Sequence, residues 1–196
     1  MIRILHAADL HLDSPFEGLP EEKAALRRNE QRQLLRALAQ LRAESGAQLV
    51  LLAGDLFDSA ASWAGTEDTL RLALAEMEVP VFISPGNHDF YSRSGRWQRL
   101  ALPENVRLFT GRSLDGLDVP ELGVRVWGAA FTDRVSGPLL RGFSAPRQEG
   151  RLELLCLHGE VGVPSSRDDP VSEEELAAIF REEGVPAEAA ASPADA

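Results

Sequence analysis

Cysteine is nearly absent from these 196 residues; one occurs, Cys156. A single thiol excludes an internal disulfide and any zinc site built on thiolates. Its setting, "LELLCLH", reads as a core position filled by a small side chain. Aromatics make up only 6% of the chain, and the three tryptophans, Trp63, Trp97 and Trp127, read as packing residues. No apolar run reaches the roughly 18 residues needed to span a bilayer. The N-terminus lacks the basic, apolar, small order of a secretory leader, because Arg3 is followed at once by His6 and Asp9. Together these absences predict a cytoplasmic protein with no membrane partner.

A basic stripe is missing too. Arg and Lys number 20 against 31 Asp and Glu, a net charge of -11. Residues 1–150 carry 17 basic and 20 acidic side chains, and residues 151–196 carry 3 and 11, so the body is near neutral and the C-terminal part is acidic. A phosphate-binding face normally clusters Lys and Arg. The arginine-rich stretch "ALRRNEQRQLLRALAQLR" reads instead as the solvated face of a helix.

The remaining pattern is that of a layered α/β protein. Residues 2–8, "IRILHAA", predict a buried strand. Pro20 then opens a long amphipathic helix that Gly46 closes. "AQLVLLAG", "TEDTLRLALAEME" and "VPVFISPG" follow as strand, helix and strand. This alternation predicts a parallel sheet with helices packed on it. A short helix around Trp97 leads to three more strand candidates, "NVRLF", "GVRVWGAAF" and "RLELLCLHG". The stretch "VSEEELAAIFREEG" predicts a last helix capped by Ser172, and "VPAEAAASPADA" an Ala/Pro-rich acidic tail without order.

Functional groups in parallel sheets collect beyond the carboxyl ends of strands. There this chain places "DLH" (Asp9, His11), "GDLFD" (Asp55, Asp58), "GNHD" (Asn87, His88, Asp89) and "HGE" (His158). Three of the four histidines thus stand at strand ends beside acids or amides. Carboxylate, imidazole and amide oxygen without thiolate suit Mn, Fe or Zn rather than Cu(I) or an iron–sulfur cluster. A carboxylate on a central strand can bridge two cations about 3.5–4 Å apart, the spacing of two-metal hydrolytic sites. Gly54 and Gly86 permit sharp turns and a close backbone approach. His6 is expected in the core, Asp13 in a turn, and Asp89 as a brace for its loop.

These four motifs, in this order, resemble those of the calcineurin-like metallophosphoesterases. "ILHAADLHL" with "GDLFD" is similar to the DNA-repair exonuclease, or SbcD-like, branch. "DLHLDSPF" and "LLRGF" resemble a bacterial subfamily of repair-exonuclease-like proteins. The resemblance implies an αββα sandwich, two mixed sheets flanked by helices, over residues 1–178, with residues 179–196 as a tail. It implies two divalent metal ions, Mn by the habit of the nuclease branch. Asp9, His11 and Asp55 would hold one, and Asp55 would bridge to a second bound by Asn87 and His158. His88 would contact the scissile phosphate and protonate the leaving oxygen, with Asp58 orienting it. The implied reaction is attack by a metal-activated hydroxide on a phosphodiester, with DNA as substrate and a coiled-coil ATPase as partner.

The resemblance also has a gap. Relatives carry a later "GHxH" motif, and no histidine follows His158 here. The expectation is therefore a domain lacking its C-terminal strands, each metal one ligand short, with an uncovered sheet edge that invites self-association. Three functions fit: a repair nuclease, a phosphoesterase for a smaller ester, and a truncated, catalytically impaired remnant.

Overall fold

The computed structural model describes residues 1–58, 63, 65–145, 148–163, 166 and 170–180. The first sheet is made of β1 (Ile4–Ala7), β2 (Leu49–Ala53), β3 (Val81–Ser84) and β4 (Val106–Leu108), parallel throughout and in chain order. Parallel neighbours need crossovers, and helices supply them. α1 (Glu21–Ser45) starts after Pro20, whose φ of -55 suits a helix start, and carries Glu21 and Glu22 in its first turn. Gly46 stops it in the left-handed conformation, φ 65, its N–H turned back to the Ala43 carbonyl. α2 (Thr66–Glu76) and the short α3 (Arg96–Arg99) make the next two crossovers.

β2 and β3 are buried at every residue, which is why they read as unbroken apolar runs. Their alternate side chains serve different layers. Val50, Leu52, Val81 and Ile83 meet Leu35 and Ala39 of α1, Leu70 and Leu74 of α2, and Trp97 of α3. Leu49, Leu51, Ala53 and Phe82 face the second sheet. That sheet is mixed: β5 (Asp115–Val119) pairs antiparallel with β6 (Val124–Gly128), which pairs parallel with β7 (Leu152–Cys156). Val119, Val124, Val126 and Cys156 close the inter-sheet core. α4 (Glu173–Phe180) brings Ile179 to a small cavity lined by Trp127 and Leu155 of the second sheet. The order is therefore helices, sheet, sheet, helix, the expected two-sheet sandwich. The predicted Ser172 cap forms reciprocally: the Glu175 N–H donates to Ser172 Oγ, and the Ser172 N–H to the Glu175 carboxylate.

Two details differ from the sequence reading. β5, "DGLDV", has no apolar run to announce it. It forms because Leu117 and Val119 reach the inter-sheet core while Gly116 leaves room for the Trp127 ring. His6, expected in the core, is exposed, because β1 is the edge of its sheet and β7 lies across β2 and β3 instead. A two-stranded pair, β8 (Glu160–Val161) with β9 (Pro170–Val171), completes the strands among the described residues. The predicted acidic tail lies, from residue 181 on, outside the described residues. No helix among them is long and apolar enough to cross a membrane.

Candidate metal centre

The pairing of β1 with β2 does not stop where the strands end. Asp9 N–H donates to Gly54 O (3.1 Å), His11 N–H to Asp55 O (2.9 Å) and Leu12 N–H to Leu56 O (2.8 Å). The "DLH" and "GDLF" loops therefore run side by side, delivering Asp9, His11 and Asp55 to one place. To do so the backbone turns left-handed at Asp9 (φ 55), His11 (φ 43) and Asp55 (φ 50). Outside glycine that conformation costs about 1–2 kcal/mol per residue. Strain of this kind persists where surrounding contacts over-determine it, and it gathers at functional sites.

Asp55 is the hub. Its side chain is 5% exposed, and its two oxygens divide their partners. Oδ1 accepts the His88 N–H at 3.0 Å, tying the "GNHD" loop to the "GDLF" loop. Oδ2 lies 3.8 Å from His11 Nε2 and 3.5 Å from His158 Nε2. Asp9 Oδ1 is 3.9 Å from His11 Nε2, and Asn87 Oδ1 is 3.3 Å from His158 Nε2. Ligand atoms of Asp9, Asp55 and His158 lie within 4.8 Å of one another, as do those of His11, Asp55 and His88. Asp9, His11 and His158 thus gather around the Asp55 carboxylate, with Asn87 against His158; Asp9 groups with His158 and His11 with His88, whose ring is edge-on to it at 4.9 Å, a division other than the expected one.

The three imidazoles share one orientation. His11 Nδ1 faces Asp58 Oδ1 at 3.2 Å, His88 Nδ1 the Asp58 carbonyl at 2.8 Å, and His158 Nδ1 the Ala53 carbonyl at 3.1 Å. Each partner is an acceptor, so each Nδ1 carries a proton. At His158 the other ring nitrogen, Nε2, faces Asp55 Oδ2 and Asn87 Oδ1. This oxygen and nitrogen donor set fits a divalent cation. Asp58 differs from expectation here. Its carboxylate serves His11, and only its main-chain carbonyl serves His88.

Two glycines are required by this packing. A Cβ on Gly54 would overlap the His158 ring, and Gly54 is itself left-handed, φ 85. A Cβ on Gly86 would run into the Asp55 carboxylate. Asp89 braces the same region, accepting from Gly86 N (2.8 Å), Leu56 N (2.9 Å) and Phe57 N (3.3 Å). Burial, aided by the nearby Asp55 charge, pushes its carboxyl up to about 6 despite those three donors.

The side chains read as non-ligands stay outside the cluster. Asp13 is buried, accepting from Trp63 N (2.9 Å) and the Thr66 hydroxyl (2.7 Å). Trp97 is buried against Phe57, whereas Trp63 is 46% exposed, with the Arg28 guanidinium 4.0 Å over its ring. Sequence reasoning missed Phe131, fully buried and edge-on to the His158 ring at 5.7 Å. Nothing in "GAAF" distinguishes that phenylalanine from any other core residue.

The sequence is similar to those of known proteins. Over 115 residues, 56% of this chain, it is 36% identical to a protein of Bacillus subtilis (strain 168) named uncharacterized metallophosphoesterase YhaO, covering 28% of that protein. Over 126 residues, 61% of this chain, it is 28% identical to the SbcD component of the SbcCD nuclease of Staphylococcus epidermidis, covering 31% of it. The matched stretches thus span less than a third of either relative. The profile of the calcineurin-like phosphoesterases, by contrast, matches residues 2–191, nearly the whole sequence. The chain belongs to the calcineurin-like phosphoesterase family.

Proposed function

We propose that this chain is a metal-dependent phosphodiesterase of the nuclease kind. The observation that carries the reading is the position of Asp55 Oδ2 between His11 Nε2 and His158 Nε2, at 3.8 and 3.5 Å. Asp9, His11 and Asp55 would hold one divalent cation, and Asp55, Asn87 and His158 a second, with manganese the first choice and iron or zinc the alternatives. When bound, such a pair supplies Lewis acidity to a phosphoryl oxygen and activates water for in-line attack. The remaining work falls to the chain's own groups. His88 is exposed, and its Nδ1 is held by the Asp58 carbonyl, so Nε2, once it carries a proton of its own, is the atom that would pass it to the leaving oxygen. Asp55 is one of the ligands and, through Oδ1, sets the height of the His88 backbone.

The relative that belongs to a nuclease supports a nucleic-acid phosphodiester as substrate and a partner protein for its cleavage. A second reading, a smaller phosphoester, is favoured by the excess of acidic over basic side chains, 31 to 20. One assay separates them. Mn-dependent hydrolysis of bis(p-nitrophenyl) phosphate and of duplex DNA is measured for the wild type, Asp55→Ala and His88→Ala. The nuclease reading expects both substrates to be cut, DNA less well as salt rises, and both activities to be lost in the variants. Cleavage of the small ester alone, at low salt as well, selects the second reading; turnover of neither overturns both.

A further inference from the structure

The loop after β1 is held from outside the site. Besides Asp9 and His11 it contains Asp13 at φ 62 and Phe16 at φ 52, four non-glycine residues in a conformation that L side chains rarely adopt. Backbone pairing with the "GDLF" loop fixes one side of it. The other side is met by α1, which sends Arg28, Gln31 and Arg32 from one helical face onto three points of the loop. Arg28 Nη1 donates to Pro15 O at 3.2 Å, Gln31 Nε2 to His11 O at 2.8 Å, and Arg32 Nη1 lies 3.6 Å from Asp13 Oδ1. Residues three and four apart on a helix point the same way, so the helix acts along a line.

Of the three, Gln31 alone grips the backbone of a residue in the cluster. Its amide spans the His11 carbonyl and, at 3.5 Å, that of Leu10, the residue between Asp9 and His11. The other end of the amide, Oε1, is buried and has no partner among the described residues. An apolar side chain would fill the space without leaving an acceptor unpaired, so packing does not account for a glutamine here. What the amide does is hold the His11 carbonyl, and through it the left-handed turn that aims His11 Nε2 at Asp55. The far side of the cluster has no such dependence. His158 is anchored by the Ala53 carbonyl and packed on Phe131.

We propose that Gln31 is a positioning residue for one half of the centre, setting the cation affinity of the Asp9/His11 side and not that of the Asn87/His158 side. The proposal rests on the metal reading above. Its test is Mn(II) titration of wild type, Gln31→Met (the same length without a donor) and Gln31→Glu (the same shape, acceptor only). Calorimetry gives the two affinities, and electron paramagnetic resonance shows whether the ions are coupled. The expected result is one affinity weakened about ten- to hundred-fold, the usual effect of losing a group that orients a ligand, with the other within about two-fold. Activity on bis(p-nitrophenyl) phosphate should fall at limiting Mn and return at excess Mn. Two unchanged affinities, or two lowered alike, overturn the proposal. Should Gln31→Met fail to fold, Gln31→Glu gives the same readout, because it keeps the shape and polarity of the site. A wild type that binds no Mn sinks the metal reading itself, whereas normal two-site binding with unsplit variants sinks this inference alone.

Discussion

The two halves of the candidate centre are held by different physics. On one side, Asp9 and His11 are open, their side chains 58% and 31% exposed, on a left-handed loop that α1 grips from outside. On the other, His158 is 14% exposed and rests in a fitted pocket made by the missing Cβ of Gly54, the Phe131 ring and the Ala53 carbonyl. Strain held by hydrogen bonds can yield gradually, because each bond contributes only about 0.5–1.5 kcal/mol. Close packing yields all at once. The first half should therefore be tunable and the second brittle.

Brittleness is broken most severely at glycine. Gly54→Ala combines overpacking, typically about 1–3 kcal/mol, with left-handed strain of about 1–2 kcal/mol. A loss of about 2–5 kcal/mol in urea unfolding is expected, with Mn binding abolished at the second half. Gly86→Ala places its Cβ on the Asp55 carboxylate and should disable both halves, since Asp55 belongs to each. Retention of either cation in Gly86→Ala would show that the hub moves aside, and the contrast between a fitted and a strained half would collapse.

Asp89 joins the halves, and its effect is next in size. Asparagine keeps the shape but offers one acceptor oxygen where the carboxylate uses two, so Asp89→Asn should cost about 1–3 kcal/mol. The pH dependence follows from its raised carboxyl, about 6 in the fold against 3.8 as the reference. Between those values the folded chain binds the proton and the unfolded chain does not. Stability from this group is thus full below about 4 and lost as pH rises through about 6, a change of about 3 kcal/mol at 1.36 kcal/mol per unit. In metal-free protein, the wild-type advantage over Asp89→Asn should shrink from pH 4 to 7. An advantage that grows over that range would mean that the charged carboxylate is the better brace.

Smaller still is Asp58→Ala, which tests the tunable half. The carboxylate that orients His11 is removed, while the carbonyl that orients His88 stays, being main chain. Mn affinity at the first half should fall about ten-fold. Turnover at saturating Mn should persist. Its loss would return to the Asp58 side chain the role in orienting His88 that the family resemblance implies for it.

That last point marks what could be read without coordinates. That Asp9, His11, Asp55, Asn87, His88 and His158 come together was legible because each motif follows an apolar run, and a strand's carboxyl end is where such groups collect. The strands β2 and β3 were legible because burial on both faces leaves no polar residue to confuse the pattern. β5 was not, since two aspartates and a glycine satisfy its edge position and its contact with Trp127. Nor was the service of Asp58 to two histidines through two different atoms, because spacing says nothing about which oxygen faces which ring. Gln31 was invisible for a related reason: a glutamine in an arginine-rich helix reads as solvated, and only the fold turns it inward. His6 erred the other way, an apolar neighbourhood in sequence that proved to be a sheet edge.

The finest test of the comparison uses the lone thiol. Cys156 ends β7, two residues before His158, and is 1% exposed. Burial pushes its pKa up to about 12, and only the thiolate attacks a disulfide reagent. At pH 8 the reactive fraction is therefore about one in ten thousand even before access is considered. Native protein should give no reaction with a thiol reagent over hours, and urea-unfolded protein one equivalent. The informative case lies between them. Labelling that proceeds well below the urea midpoint would report local opening at the end of β7, beside His158. Opening of that kind belongs to a half held by separable hydrogen bonds. Labelling that tracks global unfolding is what a half held by fit requires, in metal-free as in Mn-loaded protein, each against its own urea midpoint, because the pocket around His158 is built from Gly54, Phe131 and the Ala53 carbonyl rather than from the cation.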